Sequence, residues 1–178
     1  IQKPILKALQ ELNGAVLLID EIDRSDEAFE AYLLEALSDY QVSIPELGTV
    51  PSEVIPIVIL TSNGTRDLSD ALRRRCLYHY IEYPDVSREA DILRLKVPDA
   101  DRRLIEQAAQ FVNSLRKEDL EKKPGIAESI DWLKALMLCG FQSMPDDPLL
   151  IRGSLSCLIK TARDRVDVND NILQRLLA

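Results

Sequence analysis

Residues 15–21 read AVLLIDE, an uninterrupted apolar run that ends in two adjacent carboxylates. The run shows no alternation of apolar and polar residues, which indicates a strand buried on both faces, as in the middle of a parallel α/β sheet. A second run of the same character, residues 57–60, leads into Asn63. Open α/β sheets bind their ligands at the carboxyl ends of the strands. The sequence therefore predicts that Asp20, Glu21 and Asn63 lie at one edge of a sheet.

The composition narrows the class of protein. The chain has 178 residues, of which 46% are hydrophobic and 29% charged, a balance that excludes disordered and fibrous proteins. No apolar run approaches the roughly 20 residues that cross a bilayer. A net charge of −8 argues against nucleic acid or an anionic membrane as a general partner. Three scattered cysteines indicate reduced thiols, so we expect a cytoplasmic location.

The remaining pattern predicts an α/β part, residues 1–96, followed by an all-helical part, residues 97–178. Ser25 is a good helix cap, and an apolar stripe at helical spacing follows it. Residues 41–56 combine prolines with β-prone residues, which indicates a hairpin or an ordered loop. The other expected elements are a strand at 77–83 and helices at 67–75, 87–96, 99–117, 126–138, 149–165 and 169–177.

Adjacent carboxylates at the end of a strand suit hydrolysis assisted by a divalent metal. One carboxylate can hold the metal, directly or through its water shell, while the other orients or deprotonates the attacking water. Asn63 can bond a phosphate oxygen and the water without adding charge. Each feature also has a purely structural interpretation, because residues 20–27 form an acidic turn and Asn63 with Gly64 can simply start one. The basic triplet at 73–75 is either a solvated helix end or a phosphate contact.

Taken in order, these segments resemble the AAA+ ATPases, and within them the MoxR branch. Residues 16–24, VLLIDEIDR, are similar to a Walker B segment, and residues 57–63, IVILTSN, to a sensor 1 strand. Residues 71–76, ALRRRC, are similar to the helix that ends in the arginine finger, and the interval from Glu46 to Pro56 corresponds to the extra MoxR hairpin. Within that branch the sequence resembles most clearly the CoxD-like group, which is encoded beside carbon monoxide dehydrogenase and other molybdoenzymes. The segments that carry this resemblance are residues 40–48, 74–79 and 125–132.

The resemblance implies a partial P-loop αβα core with a parallel sheet, followed by a helical lid. It implies ATP and Mg²⁺ as cofactors, with Asp20 as the Mg²⁺-associated carboxylate, Glu21 as the base that positions water and Asn63 as sensor 1. Arg75 is the expected arginine finger, and Arg73 and Arg74 are weaker candidates for that role. Such a finger acts in the site of a neighbouring subunit, which implies a ring of subunits, expected to be a hexamer. The family further suggests a von Willebrand factor A domain protein as co-chaperone and a metalloenzyme as the remodelling client.

Two departures from the family pattern limit what these residues can do alone. A P-loop needs the sequence GxxxxGK[ST], and none of the six glycines is followed by Lys. The lid stretch at 125–128, GIAE, lacks the arginine that serves as sensor 2, and Lys122 and Lys123 are only weak substitutes. We therefore expect a fragment of a longer ATPase that is inactive by itself. Its sheet should expose an edge and an apolar face and favour self-association.

Other interpretations remain open. A nucleotide-independent AAA+-like module could serve as an adaptor or ring subunit, whereas a helicase core fits poorly because Asn63 stands where a Ser-Ala-Thr motif belongs. Among single residues, His79 has no second histidine with which to form a metal site. Trp132 is expected in the core, Arg116 in solvent, and the cysteines as small buried hydrophobes.

Overall fold

The computed structural model describes residues 2–44 and 48–177, which form two compact units that divide between Tyr80 and Ile81. The first unit is mixed α/β and the second is helical over its described residues. The sequence places the boundary later, after Lys96. The difference arises because the helix at Val86–Lys96 packs on the two long helices that follow it and so belongs to the second unit.

The first unit consists of α1 (Gln2–Leu9), β1 (Val16–Ile19), a 3₁₀ turn (Ile22–Arg24), α2 (Glu27–Ser38), β2 (Gln41–Ile44), β3 (Gly48–Pro51), β4 (Ile57–Leu60) and α3 (Asp70–Arg73). Its sheet is the parallel pair β1–β4, in register from Val16 opposite Ile57 to Ile19 opposite Leu60. The two apolar runs are therefore neighbouring parallel strands, as the sequence predicts.

The prediction that these strands are buried on both faces is wrong for the described residues. Side chains alternate between the two faces of a strand. On one face they are largely exposed: Val16 67%, Leu18 61%, Ile57 65% and Ile59 47%. On the other face Leu17, Ile19 and Leu60 are half-buried against the core of the first unit. The expectation of an exposed apolar face agrees with this burial pattern.

The core of the first unit is small. Helices α1, α2 and α3, the 3₁₀ turn and strand β2 supply its buried side chains: Ile5, Leu9, Ile22, Leu33, Ala36, Val42 and Leu72. Helix α2 begins one residue later than the sequence suggests, because the Asp26 carboxylate accepts a hydrogen bond from the Phe29 N–H at 2.7 Å. The predicted cap, Ser25, instead donates its hydroxyl to the Ile22 carbonyl at 2.7 Å.

The hairpin interpretation of residues 41–56 is confirmed for its strands. Strands β2 and β3 pair antiparallel, from Gln41 opposite Pro51 to Ile44 opposite Gly48. Glu46 and Leu47, which begin the segment similar to the MoxR hairpin, lie outside the described residues.

The segment after α3 departs most from the sequence-based expectation. The predicted helix at 67–75 is only α3, which the Ser69 hydroxyl caps by accepting from the Leu72 N–H at 3.3 Å. The predicted strand at 77–83 is wrong: residues 74–85 have no regular structure, and Leu77 and Ile81 are almost fully exposed. Apolar residues with β propensity form a strand only when a neighbouring backbone accepts their hydrogen bonds.

The second unit consists of α4 (Val86–Lys96), α5 (Arg102–Leu115), α6 (Ile126–Leu138), α7 (Pro148–Arg152), a 3₁₀ turn (Leu155–Cys157), α8 (Ala162–Asp167) and α9 (Asp170–Leu177). Helix α6 has the predicted bounds. The predicted helix at 149–165 is broken into three short pieces, because Thr161 has extended backbone geometry and its hydroxyl caps a new helix at the Asp164 N–H. None of the described helices has the length and apolar character needed to cross a bilayer.

A large apolar core and one buried ion pair hold the second unit together. The Phe111 and Trp132 rings lie 4.8 Å apart inside it, which confirms the core prediction for Trp132. The prediction that Arg116 is solvated is wrong. Its guanidinium makes two bonds to buried Glu89, at 2.5 and 2.9 Å, and donates to the Pro124 carbonyl at 2.8 Å. Burial of this charge is possible because the Glu89 carboxylate and the Pro124 carbonyl replace the water that the guanidinium loses.

The expectation of three buried cysteines holds only in part. Cys76 and Cys157 are half-buried, whereas Cys139, at the end of α6, is exposed. All three are free thiols, and burial raises the pKa of Cys76.

Candidate functional site

The polar residues that follow β1 and β4 meet because the two strands are parallel and in register. Ile19 lies opposite Leu60, so Asp20 and Thr61 are the next residues at the same edge of the sheet. The Thr61 N–H donates to the Ile19 carbonyl at 3.0 Å, which extends the strand pairing by one more hydrogen bond. The carboxylate pair and the polar residues after β4 thus occupy one side of the first unit.

Thr61 links both carboxylate residues to β4. Its hydroxyl accepts a hydrogen bond from the Glu21 N–H at 3.1 Å and donates to the Asp20 carboxylate. Its carbonyl accepts from the Ile22 N–H at 2.9 Å. One residue therefore fixes the chain at three successive positions, from Asp20 to Ile22.

Glu21 has a left-handed backbone conformation, with φ 53° and ψ 47°. For a residue other than Gly this conformation costs about 1–2 kcal/mol, and such strain persists only where surrounding contacts determine it. Here the contacts from Thr61 and the start of the 3₁₀ turn at Ile22 hold it. The conformation turns the chain sharply after the strand and leaves Glu21 half-buried, while Asp20 stays exposed.

The side chains of Glu21 and Asn63 are in direct contact. The Asn63 amide donates to Glu21 Oε1 at 3.0 Å, and the other carboxylate oxygen, Oε2, pairs with Arg24 at 3.1 Å. Asn63 and Arg24 are exposed, so these bonds face solvent and are open to exchange with a ligand. Three of the four predicted site residues, Asp20, Glu21 and Asn63, are thus brought together.

The fourth predicted residue, Arg75, lies elsewhere in the first unit. It donates to the Ser38 hydroxyl at the end of α2 and to the Ala71 carbonyl at 2.9 Å. Among the described hydrogen bonds and ion pairs, none joins Arg75 to Asp20, Glu21 or Asn63. Arg73 and Arg74 are also exposed.

A shallow cavity of about 410 Å³ adjoins the carboxylates. It is lined by Asp20 and Glu21, by the 3₁₀ turn, and by Ser25, Asp26 and Phe29 at the start of α2. The described wall offers acidic and apolar groups, together with the single cation Arg24.

Two further acidic residues of the first unit, Asp23 and Glu30, are buried. Asp23 accepts bonds from the Thr65 hydroxyl, the Thr65 N–H and the Asn63 N–H, and these hold the pKa of its carboxyl well below its usual range. Burial works to raise the pKa of Glu30, but bonds from Ser69 and Arg66 outweigh it and leave that pKa below its ordinary value.

The apolar runs in the sequence indicate the ends of both strands but give no role to Thr61, Asp23 or Thr65. The three signals are a hydroxyl directly after β4, an acid three residues beyond Asp20, and a second hydroxyl two residues beyond Asn63. Each is weak because Ser, Thr and Asp are common in any turn. Only the register of the two strands makes them neighbours.

The carboxylates of Asp20 and Glu21 suit a metal ion that is also bound by a phosphate ligand better than a metal ion that is bound by protein groups alone. No group of three or more His, Cys, Asp or Glu side chains that could hold a metal occurs in the described parts of the chain. Mg²⁺ commonly takes one or two carboxylates and completes its octahedron with water and substrate phosphates. Asp20 and Glu21 fit that arrangement, with Asp20 the more exposed of the two.

Comparison with known proteins gives no match, either among protein-family models or among curated protein sequences.

Proposed function

We propose that this chain carries the water-activating half of the nucleotide site of a MoxR-type AAA+ ATPase, which uses ATP hydrolysis to remodel or mature a partner complex. The observation that carries the proposal is the Glu21–Asn63 contact of 3.0 Å at the carboxyl ends of two parallel strands, with Asp20 beside it. In this proposal residues up to 96 are a partial αβα core and residues from 97 a helical lid.

The roles follow from what each side chain offers. Mg²⁺-bound ATP supplies the phosphoryl group and the charge that the carboxylates balance. Asp20 holds the metal, directly or through water, because it is the exposed carboxylate at the strand end. Glu21 accepts the proton of the attacking water, and the Asn63 amide orients Glu21 and that water together.

The phosphate-binding part of such a site is not encoded in these 178 residues, since none of the six glycines precedes a lysine. We therefore expect the chain to show no Mg²⁺-ATP turnover by itself. We further propose that Arg75 acts in trans within a ring of subunits, expected to be a hexamer. Its contacts with Ser38 and Ala71 are surface contacts that a neighbouring subunit can replace. A von Willebrand factor A domain protein and a metalloenzyme client are the partners that this proposal suggests.

The test uses a form of the protein that includes a P-loop, with the 178-residue chain beside it. Glu21→Gln should leave ATP binding within about threefold and lower the hydrolysis rate by about 10²–10⁴-fold, because the general base is lost. Glu27→Gln, which neutralises an exposed acid in the first turn of α2, is the matched control and should hydrolyse normally. An unchanged rate in Glu21→Gln removes Glu21 from its role, and turnover by the 178-residue chain contradicts the division of the site proposed here.

The second candidate is a nucleotide-independent interaction module of AAA+-like fold. The missing P-loop motif favours it, together with the exposed apolar face of the sheet, which a partner can cover. The two functions separate in the same assay. In the form that includes a P-loop, saturable binding and hydrolysis of Mg²⁺-ATP support the enzyme, whereas a lack of nucleotide binding supports the module.

A further inference from the structure

Asp23 is a buried carboxylate for which the proposed hydrolysis has no use. It lies in the 3₁₀ turn two residues after Glu21, and only 2% of its surface is exposed. A buried carboxylate is costly unless hydrogen bonds compensate it. The hydrogen bonds that compensate the Asp23 carboxylate therefore identify the part of the chain that it holds in place.

All of its bonds to other residues go to the loop that follows β4. Asp23 Oδ1 accepts from the Asn63 N–H at 3.3 Å, and Oδ2 accepts from the Thr65 N–H at 2.9 Å and the Thr65 hydroxyl at 2.5 Å. Gly64, between them, has a φ of +72°, which bends the loop so that both amides point at one carboxylate. The bonds are charge-assisted, the stronger class of hydrogen bond.

The same loop is held a second time farther along. Glu30, 4% exposed on α2, pairs with Arg66 and accepts from the Ser69 N–H at 3.2 Å. Arg66 also donates to the Ser25 carbonyl at 2.6 Å. Asp23 therefore holds the first part of the loop, at Asn63 and Thr65, whereas Glu30 holds its later part, at Arg66 and Ser69.

Asn63 is consequently held at two points by one short stretch of chain. Its backbone N–H is bonded to Asp23, and its side-chain amide is bonded to Glu21. Without the first bond, the solvent-facing side-chain contact to Glu21 would be the only described hydrogen bond of Asn63 itself. A displacement of about 1 Å at a reacting group can cost on the order of 10²-fold in rate.

We propose that Asp23, acting with Thr65, is a positioning residue that fixes the backbone of Asn63 so that the Asn63 side chain meets Glu21. Its effect on hydrolysis rests on the function proposed above, whereas its effect on the placement of Asn63 does not.

The geometric part is tested by NMR on the 178-residue chain. Asp23→Asn and Thr65→Val should shift the Asn63 side-chain amide resonances and lower the hydrogen-exchange protection of the Asn63 and Thr65 amides by about tenfold, the equivalent of about 1.4 kcal/mol. Thr65→Ser keeps the hydroxyl and should retain the native resonances. The matched control is Asp164→Asn, which alters another buried carboxylate that accepts two backbone amides and should leave Asn63 unchanged.

Thr65 is exposed, so the Thr65→Val and Thr65→Ser pair decides the question even if Asp23→Asn fails to fold. Native Asn63 side-chain resonances in Thr65→Val would overturn the proposal, as would native resonances in a folded Asp23→Asn.

The catalytic part is tested in the form that includes a P-loop. Asp23→Asn and Thr65→Val should lower kcat by about 10–100-fold with the KM for ATP within about threefold, and Thr65→Ser should restore kcat. A normal kcat in a variant whose Asn63 resonances have shifted overturns the catalytic consequence. If the unaltered protein shows no hydrolysis, the proposed function fails, and the NMR result still decides whether Asp23 positions Asn63.

Discussion

The buried ion pair of the second unit differs from the polar cluster at the strand ends of the first unit. In the second unit Glu89 and Arg116 are buried and bonded to each other, and the Ser129 hydroxyl and the Pro124 carbonyl complete their bonds. In the first unit Asp20 and Asn63 are exposed, Glu21 is half-buried, and the backbone of Glu21 is strained. Charges whose hydrogen bonds are made inside a core are committed to the fold, whereas charges that face solvent are available to a ligand. The first pair therefore has a structural role, whereas the chemical role of the second group is the one that we propose.

The ion pair of the second unit should show the largest effect on stability. Arg116→Met leaves Glu89 buried without its partner, so we expect the free energy of unfolding to fall by about 3–5 kcal/mol. The double variant Glu89→Gln/Arg116→Met removes both charges and should recover a large part of that loss. Urea unfolding followed by circular dichroism measures both. Equal losses in the single and double variants would mean that the charge of Glu89 is not what makes the single change costly.

A smaller effect is expected at Asp164, whose carboxylate accepts from the Glu121 and Lys122 amides at 2.7 and 3.1 Å. Burial works to raise its pKa, but these bonds outweigh it and leave the pKa lowered. A lowered pKa in the folded state gives stability that is complete above the unfolded value, near 4, and is lost as the pH falls toward the folded value. Asp164→Asn should cost about 2 kcal/mol at pH 7, and this cost should decrease as the pH falls below about 4. Unfolding curves from pH 7 to pH 3 measure this, and a pH-independent cost would contradict it.

Backbone strain at Glu21 predicts a reversed order of substitutions in the first unit. Because φ is 53°, Glu21→Gly should be more stable than Glu21→Ala by about 1 kcal/mol. The control is Ala31→Gly in the middle of α2, where Gly should lose about 1 kcal/mol. Thermal unfolding of the four proteins, including the unaltered chain, decides the order. An Ala variant at residue 21 as stable as the Gly variant would show that the strain does not persist in solution.

The exposed face of the sheet should give the smallest change in unfolding free energy. Replacing Val16 and Ile57 with Thr keeps their β-branched shape and removes apolar surface that is already exposed, so we expect a change within about 0.5 kcal/mol. The unaltered chain should self-associate through this face, and the double variant should not. Light scattering over a range of concentrations measures both. A monomeric unaltered chain at high concentration would contradict the expectation.

The sequence predicts best those elements that have a clear local pattern of apolar residues. The continuous apolar runs locate β1 and β4 and their parallel arrangement, and apolar spacing gives α6 its observed bounds. The predicted strand at 77–83 has equally strong β propensity but no described partner, and a partner is what propensity cannot supply.

The site follows the same rule. Asp20, Glu21 and Asn63 could be placed together because they directly follow the two runs. The contributions of Thr61 and Asp23 depend on hydrogen bonds between residues about 40 positions apart, which only the three-dimensional register determines. Arg116 was mispredicted for a related reason, because its partner Glu89 lies 27 residues away.

The register of four residue pairs between β1 and β4 has a consequence for how this protein can vary. The site is built from the residues directly after each strand, so its dimensions do not depend on the length of chain that joins the strands. The β2–β3 hairpin lies within that connection, and a longer loop costs little in closure entropy. Insertions or deletions in the hairpin can therefore reshape one surface of the first unit while the spacing of Glu21 and Asn63 stays the same.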